Sequence, residues 1–165
     1  MFNLIVKAMK EILYYFASVI MVIALISCDD DSNDPSFTPN AKATITGALN
    51  LYFESFSSTF SQEEINFVIT SKYIATMQKN GVNYKLMFEY NDYFQELTYD
   101  LATGSIKTSF QIGDNVVYDY VTQGEFNVET MEDNKFDVNF GFIATSLMTS
   151  DTIYVTGGEI SHDME

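Results

Sequence analysis

Ile45, Gly47, Leu49, Leu51 and Phe53 fall on one parity of the chain, and Thr46, Ala48, Asn50, Tyr52 and Glu54 on the other. The same period recurs where Tyr84, Leu86, Phe88 and Tyr90 alternate with Lys85, Met87 and Glu89. It recurs again where Phe136, Val138, Phe140 and Phe142 alternate with Asp137, Asn139 and Gly141. Successive side chains of a strand point to opposite faces, so this period, in β-branched and aromatic residues, predicts strands with one buried and one wetted face. Weaker alternation over 65–77, 97–101, 106–112, 116–121 and 152–155 predicts further strands. Turn chemistry separates these runs. Asn80-Gly81 predicts a type I′ hairpin, and Thr103-Gly104, Gly113-Asp114-Asn115 and Glu132-Asp133-Asn134 predict further hairpin turns. Ser61 followed by Glu64 matches a capping box and predicts a short helical turn over 60–64. Short strands joined by short turns make an antiparallel meander. The expectation is an all-β domain over 43–165, of about eight or nine strands, folded as a sandwich or a barrel because an open sheet leaves unpaired edges.

The pattern is different before residue 43. Ile12 to Ile26 is an apolar run with no charge, Gly or Pro, behind a short start that carries Lys7 and Lys10. That is the layout of a secretory signal peptide, helical and spanning 1–27. The run is shorter than the roughly 20 residues a membrane-spanning helix needs, and an acidic segment follows it. The alternative is an uncleaved N-terminal anchor. The run ends at Cys28, the only cysteine.

Leu25-Ile26-Ser27-Cys28 resembles the lipobox of bacterial lipoproteins. That resemblance covers only about the first 30 residues. It implies a diacylglyceryl group on the Cys28 sulfur and cleavage before it, so that Cys28 becomes the N-terminus. One acyl chain gives marginal binding, whereas two or three on one residue anchor a domain firmly. The alternative for Cys28 is a free thiol or half of an intermolecular disulfide.

Residues 28–42 then read as a disordered acidic tether. Asp29, Asp30, Asp31 and Asp34 cluster there, together with Pro35 and Pro39, the only prolines. Fully extended, the tether reaches on the order of 45 Å. An acidic cluster directly after the lipid cysteine resembles the export signal of small surface lipoproteins of the Bacteroidota. It implies display on the outer face of the outer membrane, with Asp29, Asp30 and Asp31 as the signal. In enteric bacteria, Asp at this place is associated with inner-membrane retention, which leaves a periplasmic inner-membrane anchor as the alternative. Asp29, Asp31 and Asn33 are spaced like the start of an EF-hand loop. Asp34 stands where its glycine belongs and Asn40 where its closing glutamate belongs, so no calcium site is expected.

The formal net charge is −15, with eight lysines and no arginine. Phosphate backbones need cationic contacts, so nucleic acid is not an expected partner. The expected partners are the membrane, through the lipid, and a protein or a glycan. With the cysteine acylated, no disulfide is available, and stability must come from burial and hydrogen bonding.

Tyr120-Val-Thr-Gln-Gly-Glu-Phe126 is echoed by Tyr154-Val-Thr-Gly-Gly-Glu-Ile160. The plainer reading is two equivalent strands, each carrying a glycine bulge or kink. The sharper one is that Glu125 and Glu159 face each other as a catalytic dyad or cation site. Other chemistry is thinly supplied. His162, the sole histidine, lies in a C-terminal stretch expected to be loose. Histidine-based triads and zinc sites built on several histidines or cysteines are excluded by count. No glycine-rich phosphate loop occurs, and no catalytic residue, metal or cofactor is expected. A carboxylate hydrolase needs only two acids, a requirement that so acidic a chain meets too easily to discriminate. Tyr52, Tyr73, Tyr84, Tyr90, Tyr93, Tyr99, Tyr118 and Tyr120 offer rings for stacking on sugars or proteins, although the absence of Trp weighs against glycans. A true barrel could hold a small apolar ligand. The sequence therefore supports an envelope lipoprotein serving as a structural or interaction module, with a ligand- or glycan-binding domain as the alternative and a hydrolase third.

Overall fold

The computed structural model describes residues 38–132 and 134–164. The signal peptide, Cys28 and the aspartate cluster lie outside the described residues. Within them, eleven strands follow one another: β1 Ala41–Gly47, β2 Leu51–Ser55, β3 Ser57–Ile65, β4 Val68–Lys79, β5 Val82–Tyr90, β6 Thr98–Asp100, β7 Ile106–Ile112, β8 Val116–Tyr118, β9 Tyr120–Thr130, β10 Lys135–Thr145 and β11 Thr152–Asp163. A single 3-10 turn, Leu101–Thr103, follows β6.

The strands form two antiparallel sheets. One has six strands in the order β2-β1-β11-β10-β9-β6, and the other five in the order β3-β4-β5-β7-β8. The fold is all-β as expected, with eleven strands in place of eight or nine. The sheets do not close on one another, so the sandwich stands and the barrel does not.

Each sheet turns one parity inward. Phe136, Val138, Phe140, Phe142 and Ala144 of β10 are buried, as are Leu86 and Phe88 of β5. The midplane is aromatic. Phe88 of the five-stranded sheet lies 4.5 Å from Phe126 and 5.0 Å from Phe140 of the six-stranded one, between ring centroids. Phe94, on the connection between β5 and β6, fills the space between Phe126 and Phe136. Such pairs stabilise beyond the area they bury when offset or edge-on.

Several expectations need correction. The tether expected over 28–42 does not extend to residue 42, because Ala41 and Lys42 already pair with β2 and β11 as the start of β1. The alternating run 45–54 is two strands. The chain reverses after Gly47, whose φ is +98°, and Leu51 returns opposite Ile45. Residues 60–64 are strand, not a helical turn. β3 pairs residue for residue with β4, Ser61 opposite Lys72 and Glu64 opposite Ile69. A continuous ladder outweighs one capped turn, because helix nucleation is costly. Thr103-Gly104 does not close a hairpin. Gly104, at φ +72°, caps the 3-10 turn and donates to the Leu101 carbonyl, while the chain passes from β6 in one sheet to β7 in the other. The other three turn assignments join paired strands: β4 to β5, β7 to β8, and β9 to β10.

Candidate functional site

The repeated heptapeptide falls on β9 and β11, and both strands pair with β10, one on each side. Each repeat carries a bulge against that shared neighbour. In β11, Thr156 and Gly157 together stand opposite Gly141. In β9, Gln123 pairs with Ile143 and Val121 with Ala144, leaving Thr122 as the extra residue. The recurrence is therefore two equivalent strands, each bulged against β10, with a glycine in the bulge of β11 and a threonine as the extra residue in that of β9.

The glycine common to both repeats has a steric cause. A Cβ on Gly124 would sit 2.6 Å from the Gly141 carbonyl oxygen, and one on Gly158 would sit 2.4 Å from the Phe140 ring. At the position before it, where the repeats differ (Gln123, Gly157), Gly157 has nothing within 4 Å of its Cβ site. The sequence keeps glycine where there is no room and varies where there is.

These features remove side chains from the middle of an outer sheet face. Gly141 occupies the outward position of β10, and the two bulges turn backbone toward solvent beside it. The result is an open trough about 800 Å³ in volume. It adjoins a second depression of about 490 Å³, which shares Thr98, Glu125, Gly141 and Gly157 with it. Tyr154, 46% exposed, stands at the edge of the larger part with its ring against Gly47, and it pairs across the ladder with Ile143. Short β6 forms the opposite rim, where Thr98 donates to Asn127 at 2.8 Å.

Glu125 and Glu159 both line the smaller depression, but they are not a facing pair. β10 runs between them, a separation of two strand spacings or about 10 Å. Their ladder partners, Gly141 and Asn139, are also offset by two residues. Glu159 is bound to Lys42 at 2.8 Å, a contact that raises the lysine pKa, first through the hydrogen bond and then through the opposite charge. No Asp or Glu among the described residues is buried, and no cluster of three His, Cys, Asp or Glu among them could hold a metal. A carboxylate hydrolase needs two enclosed acids in one cleft, and the trough does not supply them.

His162 contradicts its expected looseness. It lies within β11 opposite Phe136, and its Nδ1 is 2.8 Å from the Ser58 hydroxyl of β3. Its ring meets Tyr73 edge-on at 5.8 Å. The Tyr73 hydroxyl donates to the Asn40 carbonyl, and burial pushes its pKa up to about 12. A histidine beside a serine is the first requirement of nucleophilic catalysis, and one histidine is enough for it, so exclusion by count does not hold for this pair. Its observed role is to join β3 of one sheet to β11 of the other.

Of the tyrosines named for stacking, Tyr73, Tyr99 and Tyr118 are buried in the core, whereas Tyr52, Tyr93 and Tyr120 are exposed. Tyr154, the ring at the trough, was not among them. Its place in the repeat, equivalent to Tyr120, is the signal that marks it. No protein-family model matches the chain, and no curated protein or solved structure matches it significantly.

Proposed function

We propose that this chain is a lipid-anchored envelope lipoprotein whose β-sandwich works as an interaction module, held at the outer membrane and displayed on its surface. The interaction reading rests on the trough. A sheet face whose middle is cleared to backbone, with polar rims and a tyrosine at its edge, suits reversible contact with a ligand. The anchor reading rests on Leu25-Ile26-Ser27-Cys28 at the end of an apolar run. A tether over 29–40, ending where β1 begins at Ala41 and on the order of 40 Å long when extended, would let the domain stand clear of the lipid headgroups.

Metabolic labelling with palmitate, combined with protease shaving of intact cells, tests this reading. Wild-type protein should incorporate label and be cut by external protease, and Cys28→Ala should lose the label. Labelling that survives the substitution overturns the anchor. Protection from protease overturns surface display and leaves an inward-facing or inner-membrane location.

A further inference from the structure

Resting on the interaction reading, we infer that the trough is a site for an uncharged oligosaccharide chain. Charge narrows the ligand first. Asp100, Glu125 and Glu159 line the two depressions, and neither lining includes a lysine. Lys42, the cation that reaches this region, is paired with Glu159. Phosphates, uronic acids and anionic lipids would meet carboxylates with no cation to receive them, and like charges in close contact repel.

Hydrogen bonding narrows it further. Gln123, Glu125 and Thr156 form no side-chain hydrogen bond among the described residues, so their donors and acceptors are available to a ligand rich in hydroxyls. The floor offers less to a peptide. An extended peptide gains affinity mainly by pairing with the free backbone groups of a sheet edge, whereas β10 and β11, which form most of the floor, lie inside the sheet and are paired on both sides, and β9 is covered by β6 at 125–127.

Tyr154 supplies the remaining requirement. A pyranose ring has an apolar C–H face and a polar rim, and a half-exposed aromatic ring beside free amide, hydroxyl and carboxylate groups matches both. The two adjoining depressions, about 800 and 490 Å³, give room for more than one such ring. Gly47 backs the tyrosine ring, which keeps the ordering cost of binding low.

Full-length protein in detergent, applied to arrays of uncharged hexose and pentose oligosaccharides, oligouronates and oligolysine, tests the assignment. Retention of uncharged chains is expected. Tyr154→Ala should weaken it about tenfold, the loss of roughly one stacking contact. Gly157→Asn should weaken it similarly by placing a side chain in the trough, since asparagine tolerates the φ of +58° found there. Unchanged thermal unfolding of both variants shows that the losses are local. No retention of any uncharged chain, preference for oligouronate or oligolysine, or uncharged binding indifferent to both variants overturns the assignment. Each of those outcomes leaves palmitate labelling at Cys28 unaffected, so failure of the ligand class is distinguishable from failure of the anchored-module reading.

Discussion

Phe67 is held where a phenylalanine is least at ease. It shares a two-residue turn with Asn66 between β3 and β4, with φ values of +66° and +53°. That geometry favours Asn-Gly, because a side chain at positive φ crowds the backbone. The next hairpin obeys the rule, with Asn80 at +53° and Gly81 at +77°. Phe67 is also 96% exposed, so its ring recovers nothing by burial. Phe67→Gly should therefore stabilise the domain by about 1 kcal/mol, the lower end of such backbone strain, less the entropy glycine adds to the unfolded chain. Urea unfolding would check this, and a midpoint that falls would refute it. The same comparison shows what was legible at this scale. Asn80-Gly81 announces its turn in its composition, whereas Asn66-Phe67 hides one inside an apparently continuous run over 65–77. Tyr154 was hidden for a related reason: its parity marks it as outward, but only the glycines of two neighbouring strands show that it borders a trough.

At the scale of the strand, β5 lies between β4 and β7 and carries one carboxylate shared by two ammonium groups. Glu89 pairs in register with Lys72 on one side and Lys107 on the other. Its carboxylate oxygens lie 3.4 Å and 2.7 Å from their respective nitrogens. The hydrogen bond from Lys107, followed by the charges of Lys107 and Lys72, holds the Glu89 pKa below the usual carboxylate range against a partial burial that would raise it. A depressed folded-state pKa stabilises above the unfolded value, near 4.3, and that contribution is lost as pH falls through the folded one. Lys107 is well exposed, so solvent screening limits the effect. Glu89→Gln should cost roughly 0.5–1 kcal/mol at pH 7, with the two proteins converging as pH drops below about 4. Denaturant midpoints measured across that range decide it, and a gap that widens on acidification would contradict the assignment. Strand existence was largely readable from periodicity, but register was not. Nothing in the spacing of Lys72, Glu89 and Lys107 along the chain reveals that the register of the β4–β5 hairpin and of the non-consecutive pair β5–β7 sets them side by side. The helical expectation at 60–64 failed for the same reason, since the capping box is a local signal and the pairing with β4 is not.

Across the whole molecule, the two sheets are joined mainly by rings. Phe88 is fully buried and reaches Phe126, Phe140 and Phe142 across the interface, with centroids 4.5, 5.0 and 6.3 Å away. Phe140 in turn packs on Gly158, the residue next to the bulge that opens the trough on the opposite face of the same sheet. The core and the trough are thus two faces of one local arrangement. Alternation predicted that Phe88 and Phe140 point inward, but it could not choose between a closed barrel and two stacked sheets, because both bury one parity of every strand. That choice follows from the crossings between sheets. The chain changes sheet at Phe56, between β5 and β6, around Gly104 and at Asp119, and so divides six strands from five. Truncating the central ring tests the dependence. Phe88→Ala should cost about 3–5 kcal/mol through lost burial and the cavity it leaves, a large share of the stability of a domain this size. With Gly158 and the bulge beside it on the far sheet, the trough backbone should loosen as well. Amide exchange at 156–158 should therefore rise more in Phe88→Ala than in a core variant of matched stability loss away from β10, such as Phe110→Ala, whose ring meets Phe53 of β2 and Tyr84 of β5. Equal exchange in the two would show that the trough is built by its glycines alone, without support from the core behind it.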